Sequence, residues 1–213
     1  MPFRSQIENA GFNYLAHDFG QYTGSSSHPG LQAPCGNWTT SGHHITCDIV
    51  ELPKNIADVI ICTEVLEHVP DPRAALASIS SALKSGGIAL VTVPLQSRMH
   101  HAPFWFVSGL SPYWFEYHAD RVGLQVTKLL KVGDFVDQMI QEVGVFAGIV
   151  KLGPFARLLL RVIAPIMRKL SSNALLESGG LAVYVELSKS FGQPRLDSSS
   201  ETTDIQRFVR RDR

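Results

Sequence analysis

Residues 57–94 constrain the fold more than any other part of the sequence, because they predict a strand, a helix and a second strand. Residues 57–62 (ADVIIC) and 88–93 (IALVTV) are almost entirely apolar, as strands covered on both faces of a parallel sheet must be. Between them, residues 71–83 place Ala75, Leu76 and Ile79 on one helical face, and two glycines follow. Two parallel neighbours joined through a helix predict a right-handed crossover.

The rest of the chain continues this alternation of strands and helices. Further strands are predicted at residues 12–16, 44–47, 125–130 and 181–187, and further helices at 112–122, 135–150 and 154–170. Residues 20–42, rich in Gly, Ser, Pro and Thr, predict a long loop. The sequence therefore predicts an α/β fold, a mostly parallel sheet flanked by helices, over residues 1–190, with a disordered polar tail over 191–213.

Composition narrows the possible partners and the compartment. The formal net charge is zero, which disfavours nucleic acid as a partner. The three cysteines, Cys35, Cys47 and Cys62, are an odd number and suit a reducing compartment. The amino-terminal residues lack the apolar segment of a signal peptide. We therefore expect a cytoplasmic protein acting on a small-molecule substrate, and its oligomeric state stays open.

The segment 154–170 permits two interpretations. Arg157, Arg161 and Arg168 recur at roughly helical spacing among large apolar residues, and Pro165 predicts a kink. Such a helix could lie on a membrane or on a partner. The favoured interpretation is a helix packed on its own domain with a basic outer face, so that membrane contact is not expected.

Residues 47–94 also resemble a known family. The resemblance rests on Asp48-Ile49, on 58–62 (DVIIC), on 64–72 (EVLEHVPDP) and on 83–87 (LKSGG), which stand in the order and spacing of the class I methyltransferases, the small-molecule type 11 group. It extends from about residue 14 to residue 130. It implies a Rossmann-like sheet, S-adenosylmethionine as cofactor and methyl transfer to a small-molecule acceptor.

The sequence departs from that family at one motif. The family opens with a strand and a Gly-x-Gly loop, whose glycines let the backbone approach the cofactor, yet no two of the 17 glycines here are separated by a single residue. The resemblance also makes the missing strand the central one, between the strands predicted at 12–16 and 57–62. A truncated product, a degenerate non-catalytic relative and a gap filled in another way are all open, and truncation is favoured. Coding sequence upstream of Met1 without a Gly-x-Gly would count against truncation.

The resemblance assigns a set of residues to the cofactor: Asp18, Asp48, Ile49, Cys62, Thr63 and Glu64. In this assignment Asp18 accepts hydrogen bonds from the ribose hydroxyls, and Asp48 accepts one from the adenine amino group while Ile49 packs on the ring. Residues 62–64 meet the methionine portion. The alternatives are a turn role for Asp18, a capping role for Asp48 and a core role for Cys62.

Glu64, Glu67 and His68 share one face if they lie on a helical turn. Some similar methyltransferases bind Mg²⁺ with this triplet, whereas many relatives carry the same residues without a metal. The alternative is that Glu67 and His68 only line the pocket. His100 and His101 follow in the region that the resemblance makes substrate-facing. His101 is the first choice for a general base and His68 the second, because an imidazole titrates near neutral pH.

Two functions therefore remain in competition. The leading one is S-adenosylmethionine-dependent methyl transfer to a small molecule, and the other is a non-catalytic binding or scaffold protein. A metal-dependent hydrolase has only Glu64, Glu67 and His68 in its favour. A nicotinamide dehydrogenase is disfavoured because Gly-x-Gly-x-x-Gly is absent from the sequence.

Overall fold

The computed structural model describes residues 3–22, 42–149, 151 and 153–189. Its strands are β1 (His17–Asp18), β2 (Ile45–Thr46), β3 (Ala57–Thr63), β4 (Leu83–Pro94), β5 (Leu124–Val132) and β6 (Ala182–Lys189). Its helices are α1 (Arg4–Asn9), α2 (Pro72–Ala82), α3 (Pro112–Ala119), α4 (Phe135–Ile149), α5 (Gly153–Leu170) and α6 (Asn173–Glu177). This architecture confirms the predicted α/β class. The predicted tail, Cys35 and most of the predicted loop at 20–42 lie outside the described residues.

The main sheet has four strands in the order β3-β4-β6-β5. β3 and β4 are parallel, as predicted, but β6 runs antiparallel to both β4 and β5. The carbonyl of Leu181, just before β6, accepts from the Leu95 amide, and the Leu181 amide donates to the Val132 carbonyl. The chain thus enters β6 beside the ends of β4 and β5 and has to run back between them. The expectation of a mostly parallel sheet is therefore corrected to a mixed sheet.

Helix α2 covers one face of this sheet. The Asp71 carboxylate caps it by accepting from the backbone amides of Arg73 and Ala74, both at 3.0 Å. The buried face that the sequence predicted is present and includes Leu76 and Ile79, which are fully buried. These side chains join the core formed by β4 and β6 and by Phe115 of α3.

The amino-terminal strands form a separate two-stranded sheet. β1 and β2 pair in parallel through His17–Ile45 and Asp18–Thr46, so the strand predicted at 12–16 is wrong and its place is taken by residues 17 and 18. Within the described residues, β3 pairs with β4 alone. Val59 and Ile61 on β3 are 43% and 40% exposed. The unpaired edge of β3 faces the position where the family resemblance places a central strand.

Helices α4 and α5, which follow β5 in the chain, pack against each other. Helix α5 has Pro165 in its interior, and the kink predicted there stays a prediction. Among the described residues, no helix combines the length and the apolar character needed to cross a bilayer.

Candidate functional site

Glu64 stands at the carboxyl end of β3 in a left-handed backbone conformation, with φ of 53°. Its amide donates to the Thr92 carbonyl at 2.8 Å, and its Oε1 accepts from the Thr92 hydroxyl at 2.8 Å. Non-glycine residues held with positive φ cost about 1–3 kcal/mol and cluster at functional sites. The side chain of Glu64 is exposed. Thr63, directly before it, ends β3 and pairs with Thr92 of β4.

Glu67 lies in the short 3-10 turn that follows, Leu66–His68, and is completely buried. Both of its carboxylate oxygens lack a hydrogen-bond partner within the part of the chain that the structure describes. Burial, with a smaller contribution from Glu64, raises the pKa of Glu67 to about 7, against a lowering by its own backbone amide. A buried carboxylate with no hydrogen-bond partner beyond its own backbone amide, among the described residues, needs either a proton or a cation.

Two histidines adjoin this carboxylate. The Nδ1 atom of His68 lies 2.5 Å from the Phe104 carbonyl, and the Nδ1 atom of His100 lies 2.8 Å from the Arg98 carbonyl. Because a carbonyl only accepts, each Nδ1 donates its proton to the carbonyl, and in the neutral ring the lone pair is then on Nε2. His68 Nε2 lies 3.6 Å from Glu67 Oε1. Burial, opposed by the Phe104 carbonyl, lowers the pKa of His68 to about 4, so His68 is neutral at physiological pH.

His101 completes the cluster, and it too has a positive φ, of 52°. Its ring contacts those of His68 and His100, with centroid separations of 5.3 and 5.0 Å. Its Nδ1 atom lies 2.9 Å from the Tyr22 hydroxyl. Burial, followed by the charge of His100, lowers the pKa of His101 below its usual value. A neutral imidazole of this kind can accept a proton.

The loop that carries these histidines is fixed at both sides of the site. The amides of Phe106 and Val107 donate to the Glu67 carbonyl at 3.0 and 3.3 Å. At Gly109, with φ of 158°, a Cβ atom would lie 2.4 Å from the Pro94 carbonyl oxygen, so only glycine permits this approach to the end of β4. The backbone therefore holds the histidines against the Glu67 turn.

Asp18 ends β1, and its end of the small sheet lies beside the histidine loop. The Asp18 carboxylate accepts from the Gly20 amide at 2.6 Å, which is a turn contact. Phe19, the next residue, packs edge-on against Phe104 with centroids 5.1 Å apart. Tyr22 also contacts Phe104, at 5.9 Å between centroids. The acidic end of β1 and the loop of His101 are therefore neighbours.

Asp48 and Ile49 make structural contacts. The Asp48 carboxylate caps the 3-10 turn Ile49–Glu51 by accepting from the Val50 amide at 3.1 Å, as the capping alternative anticipated. Ile49 is 8% exposed and belongs to the core. Their roles at an adenine ring stay predictions.

The structure brings together a group of side chains that could hold a metal ion and that differs from the predicted triplet, whose own ligand role stays a prediction. Ligand atoms of Glu67, His68 and His100 lie within 4.8 Å of one another, and this is the one such group that includes Glu67 among the described residues. Glu64, at the end of β3, bonds to Thr92 instead. The replacement of Glu64 by His100 was not evident in the sequence, because His100 joins the cluster through a loop rather than through a local repeat.

Cys62 is 5% exposed, and burial, followed by the charges of Glu67 and Glu64, raises its pKa to about 12. We expect its thiol to react with iodoacetamide at least 100-fold more slowly than Cys47 in the folded chain, because only the thiolate attacks. Peptide mass spectrometry at successive times would measure both rates, and denatured chain, in which the rates should converge, is the control. Comparable rates in the folded chain would contradict the burial of Cys62.

Comparisons with known proteins agree with this architecture. A family model for a methyltransferase domain matches residues 3–131. No protein of curated function matches significantly. A methyltransferase from Archaeoglobus fulgidus, described as dependent on S-adenosylmethionine, superposes with a TM-score of 0.51 at 14% identity, over 88% of this chain and 80% of that one.

Two other solved structures are more distant. The [4+2]-cyclase SpnF gives a TM-score of 0.40 at 18% identity, over 70% of this chain and 56% of its own. A sarcosine dimethylglycine methyltransferase, so described provisionally, from Galdieria sulphuraria gives 0.44 at 16% identity, over 68% and 60%. The chain thus spans little more than half the length of these two proteins.

The family model covers well over half of the chain, from the first described helix to the end of β5. That span includes both small strands, the unit formed by β3, α2 and β4, and the whole cluster around Glu67. The chain belongs to the methyltransferase domain family, with the α/β fold of the S-adenosylmethionine-dependent enzymes.

Proposed function

We propose that the chain binds S-adenosylmethionine at the carboxyl ends of β1 to β4 and contributes to methyl transfer to a small molecule. The observation that supports this most is the meeting of the β1 end with the histidine loop, through Phe19 and Phe104. Ligands of open α/β sheets bind beyond the carboxyl ends of the strands. The family membership supports the same cofactor.

In this proposal Asp18 accepts from the ribose hydroxyls. Its contact with Gly20 uses one lone pair, and a carboxylate has about four. Asp48 and Ile49 contact the adenine, and residues 62–64 contact the methionine portion. The exposed carboxylate of Glu64 suits this role better than metal ligation, because it is directed to Thr92 at the end of the sheet.

His101 is the proposed general base, and His68 is the second choice only for a chain without a bound metal, since the metal would occupy its Nε2 lone pair. His101 is neutral because its pKa is lowered, and its neighbour Tyr22 offers a hydroxyl that orients the ring. His68 is more constrained, since Phe104 fixes one nitrogen and Glu67 lies beside the other. Catalysis would consist mainly of positioning the acceptor for in-line attack on the methyl group.

Calorimetric titration of the chain with S-adenosylmethionine tests the proposal. We expect saturable binding, and Asp18→Asn should weaken it about 10-fold because a charged acceptor to hydroxyls is lost. Asp58→Asn is the matched control, since Asp58 is exposed and pairs with Lys84 at the other end of β3. An absence of heat at millimolar cofactor would favour the non-catalytic alternative.

The non-catalytic alternative is favoured by the absence of Gly-x-Gly from the sequence. It is also favoured by the β3 edge, which has no partner strand among the residues that the structure describes. The two functions separate if a strand, a Gly-x-Gly loop and a helix, in the order that the family resemblance implies, are fused ahead of residue 3. For a methyltransferase we expect the fusion to raise cofactor affinity at least 10-fold. Unchanged affinity of a folded fusion would support a scaffold.

For the metal, we propose that Glu67, His68 and His100 are the ligands, in place of the Glu64-containing triplet expected for Mg²⁺. Two imidazoles and a carboxylate suit zinc and similar ions, whereas Mg²⁺ prefers oxygen ligands. Ligand atoms on a tetrahedral zinc lie about 3.3–3.5 Å apart, and His68 Nε2 and Glu67 Oε1 are already 3.6 Å apart. The two backbone carbonyls behind the histidines provide the orientation that such ligands need.

Zinc titration of an untagged chain distinguishes the two ligand sets. We expect His100→Gln to weaken zinc binding on the order of 100-fold and Glu64→Gln to leave it unchanged. The opposite pattern would support the original triplet. X-ray absorption of the wild-type complex gives a check that needs no variant, because a zinc–sulfur distance of about 2.3 Å would place the ion at a cysteine instead.

A further inference from the structure

Helix α5 turns its apolar side toward solvent. The exposed large residues on it are Leu158, Leu159, Val162, Ile163, Ile166 and Leu170. Four of them recur every fourth residue, so they form one stripe along successive turns. Leu158 is 63% exposed and Leu170 is 81% exposed. A stripe of this kind normally faces a core or a partner.

The inner side of α5 is held by polar contacts. Arg168 Nε lies 2.9 Å from an oxygen of Asp134, and Arg168 also pairs with Asp137 at the start of α4. Ala164, one helical turn before Arg168 and on the same side of α5, is buried. The interpretation of a basic outer face is therefore wrong for Arg168, because the ion pairs with α4 turn this arginine inward and leave the apolar stripe outside.

Helix α4 also carries large apolar side chains that are exposed. Met139, Val143 and Phe146 are spaced four and three residues apart and are 39%, 38% and 64% exposed. These three side chains lie on one face of α4. Helix α4 itself packs against α5. We call these three side chains, together with the six on α5, the α4–α5 surface.

The charge of α5 and its flanking residues is strongly asymmetric, whereas α4 carries Asp137 and Glu142, which pair with Arg168 and Arg98. Residues 151–176 contain no Asp or Glu, and their basic residues are Lys151, Arg157, Arg161, Arg168 and Lys169. The whole chain, by contrast, has a formal net charge of zero. Arg161 and Lys169 are exposed. An apolar stripe accompanied by cations and free of acids is typical of helices that lie in the interface of an anionic bilayer.

We propose that the α4–α5 surface docks on an anionic lipid bilayer, with α5 lying in the plane of the interface. The apolar side chains would enter the boundary of the acyl chains, and Arg161 and Lys169 would meet the lipid phosphates. A second copy of the chain fits less well, because a two-fold interface would place this cationic region against itself.

The docked helices would be connected to the candidate site. Arg98 pairs with Glu142 of α4 at 2.6 Å, and Gln138 of α4 donates to Gln96 at 2.7 Å. Gln96 and Arg98 lie in the segment that leads to His100 and His101. A bilayer beneath α4 and α5 would therefore lie next to the loop of the histidine cluster.

Vesicle co-sedimentation of the full chain tests the proposal. We expect partition onto vesicles of equal parts phosphatidylcholine and phosphatidylglycerol, much weaker partition onto phosphatidylcholine alone, and a decrease with added salt. Val162→Ser should lower the partition coefficient roughly 10-fold, because it removes a large apolar side chain from the bilayer. Arg161→Gln should lower it about fivefold on anionic vesicles only.

Val59→Ser is the matched control, because Val59 is also exposed but lies on β3. It should partition like the wild type, and the thermal unfolding of each variant shows whether it is folded. Wild-type chain that stays in solution with anionic vesicles would overturn the proposal. So would a dimer without vesicles that Val162→Ser converts to monomer, because the surface would then belong to a second copy.

Discussion

Replacing Leu66 with alanine is expected to lower the free energy of unfolding by about 2–5 kcal/mol. Leu66 is the first residue of the turn that carries Glu67, and its side chain is fully buried in the core. Truncation to alanine therefore removes buried apolar surface and leaves a cavity. Urea unfolding followed by tryptophan fluorescence would measure the change. Because the turn also carries Glu67 and His68, we expect zinc binding to weaken in the same variant.

Leu170→Ala is the control for this substitution. Leu170 is 81% exposed at the end of α5, and surface truncations usually change stability by less than about 0.5 kcal/mol. Equal effects of the two leucine substitutions would show that the Glu67 turn is not built on the core in the way described.

Replacing Glu67 with glutamine should raise the free energy of unfolding of the metal-free chain by about 1–3 kcal/mol near pH 8. The substitution keeps the shape of the side chain and removes a buried charge for which the described part of the chain offers no geometrically adequate hydrogen-bond partner. The new amide can donate to His68 Nε2, which is the neighbouring acceptor. Zinc should stabilise the wild type and leave the variant unchanged, because the variant lacks the carboxylate ligand.

The pH dependence of this effect has a definite sign. The pKa of Glu67 is raised from its ordinary value of 4.5 to about 7 in the folded chain. Between these values the folded state holds a proton that the unfolded state has lost, so wild-type stability falls as pH rises from about 4.5 to 7. The advantage of the variant should therefore appear across that range and be small below it.

Urea unfolding at a series of pH values would measure the difference between the two proteins. Glu116→Gln is the control, because Glu116 is an exposed carboxylate on α3. If Glu67→Gln were destabilising at all pH values, the buried carboxylate would have a partner that stabilises its charge.

In the unit of β3, α2 and β4, the predicted ends of β3 and α2 lie within one residue of the observed ends because their signals are local. The start of β4 was predicted wrongly, since β4 begins at Leu83, five residues before the predicted start. Apolar runs, a capping aspartate and a helical apolar face fix these elements wherever the chain goes next. The strand predicted at 12–16 was wrong because pairing with β2 begins only at His17, and that register depends on a contact with Ile45 and Thr46 rather than on a local pattern. The prediction of a mostly parallel sheet was also wrong for β6. A strand pattern carries no information about the end of the sheet at which the chain enters.

In the candidate site, the sequence identified Glu67, His68, His100 and His101 but not their grouping. His100 replaces Glu64 beside Glu67 because the loop after β4 is bonded back to the Glu67 carbonyl, a contact between distant parts of the chain. The sequence likewise predicted an apolar side and a basic side of α5, but it did not predict which of them would face solvent.

The family, the parallel pair β3 and β4 and the chemical character of the site residues thus follow from the sequence alone, because short-range patterns encode them. The tertiary structure alone decided three other features: the mixed sheet, the Glu67–His68–His100 cluster and the outward apolar face of α5. Each depends on a contact between segments far apart in the chain, such as the pairing of Arg168 with Asp134, and no local pattern specifies which distant partner a side chain will meet.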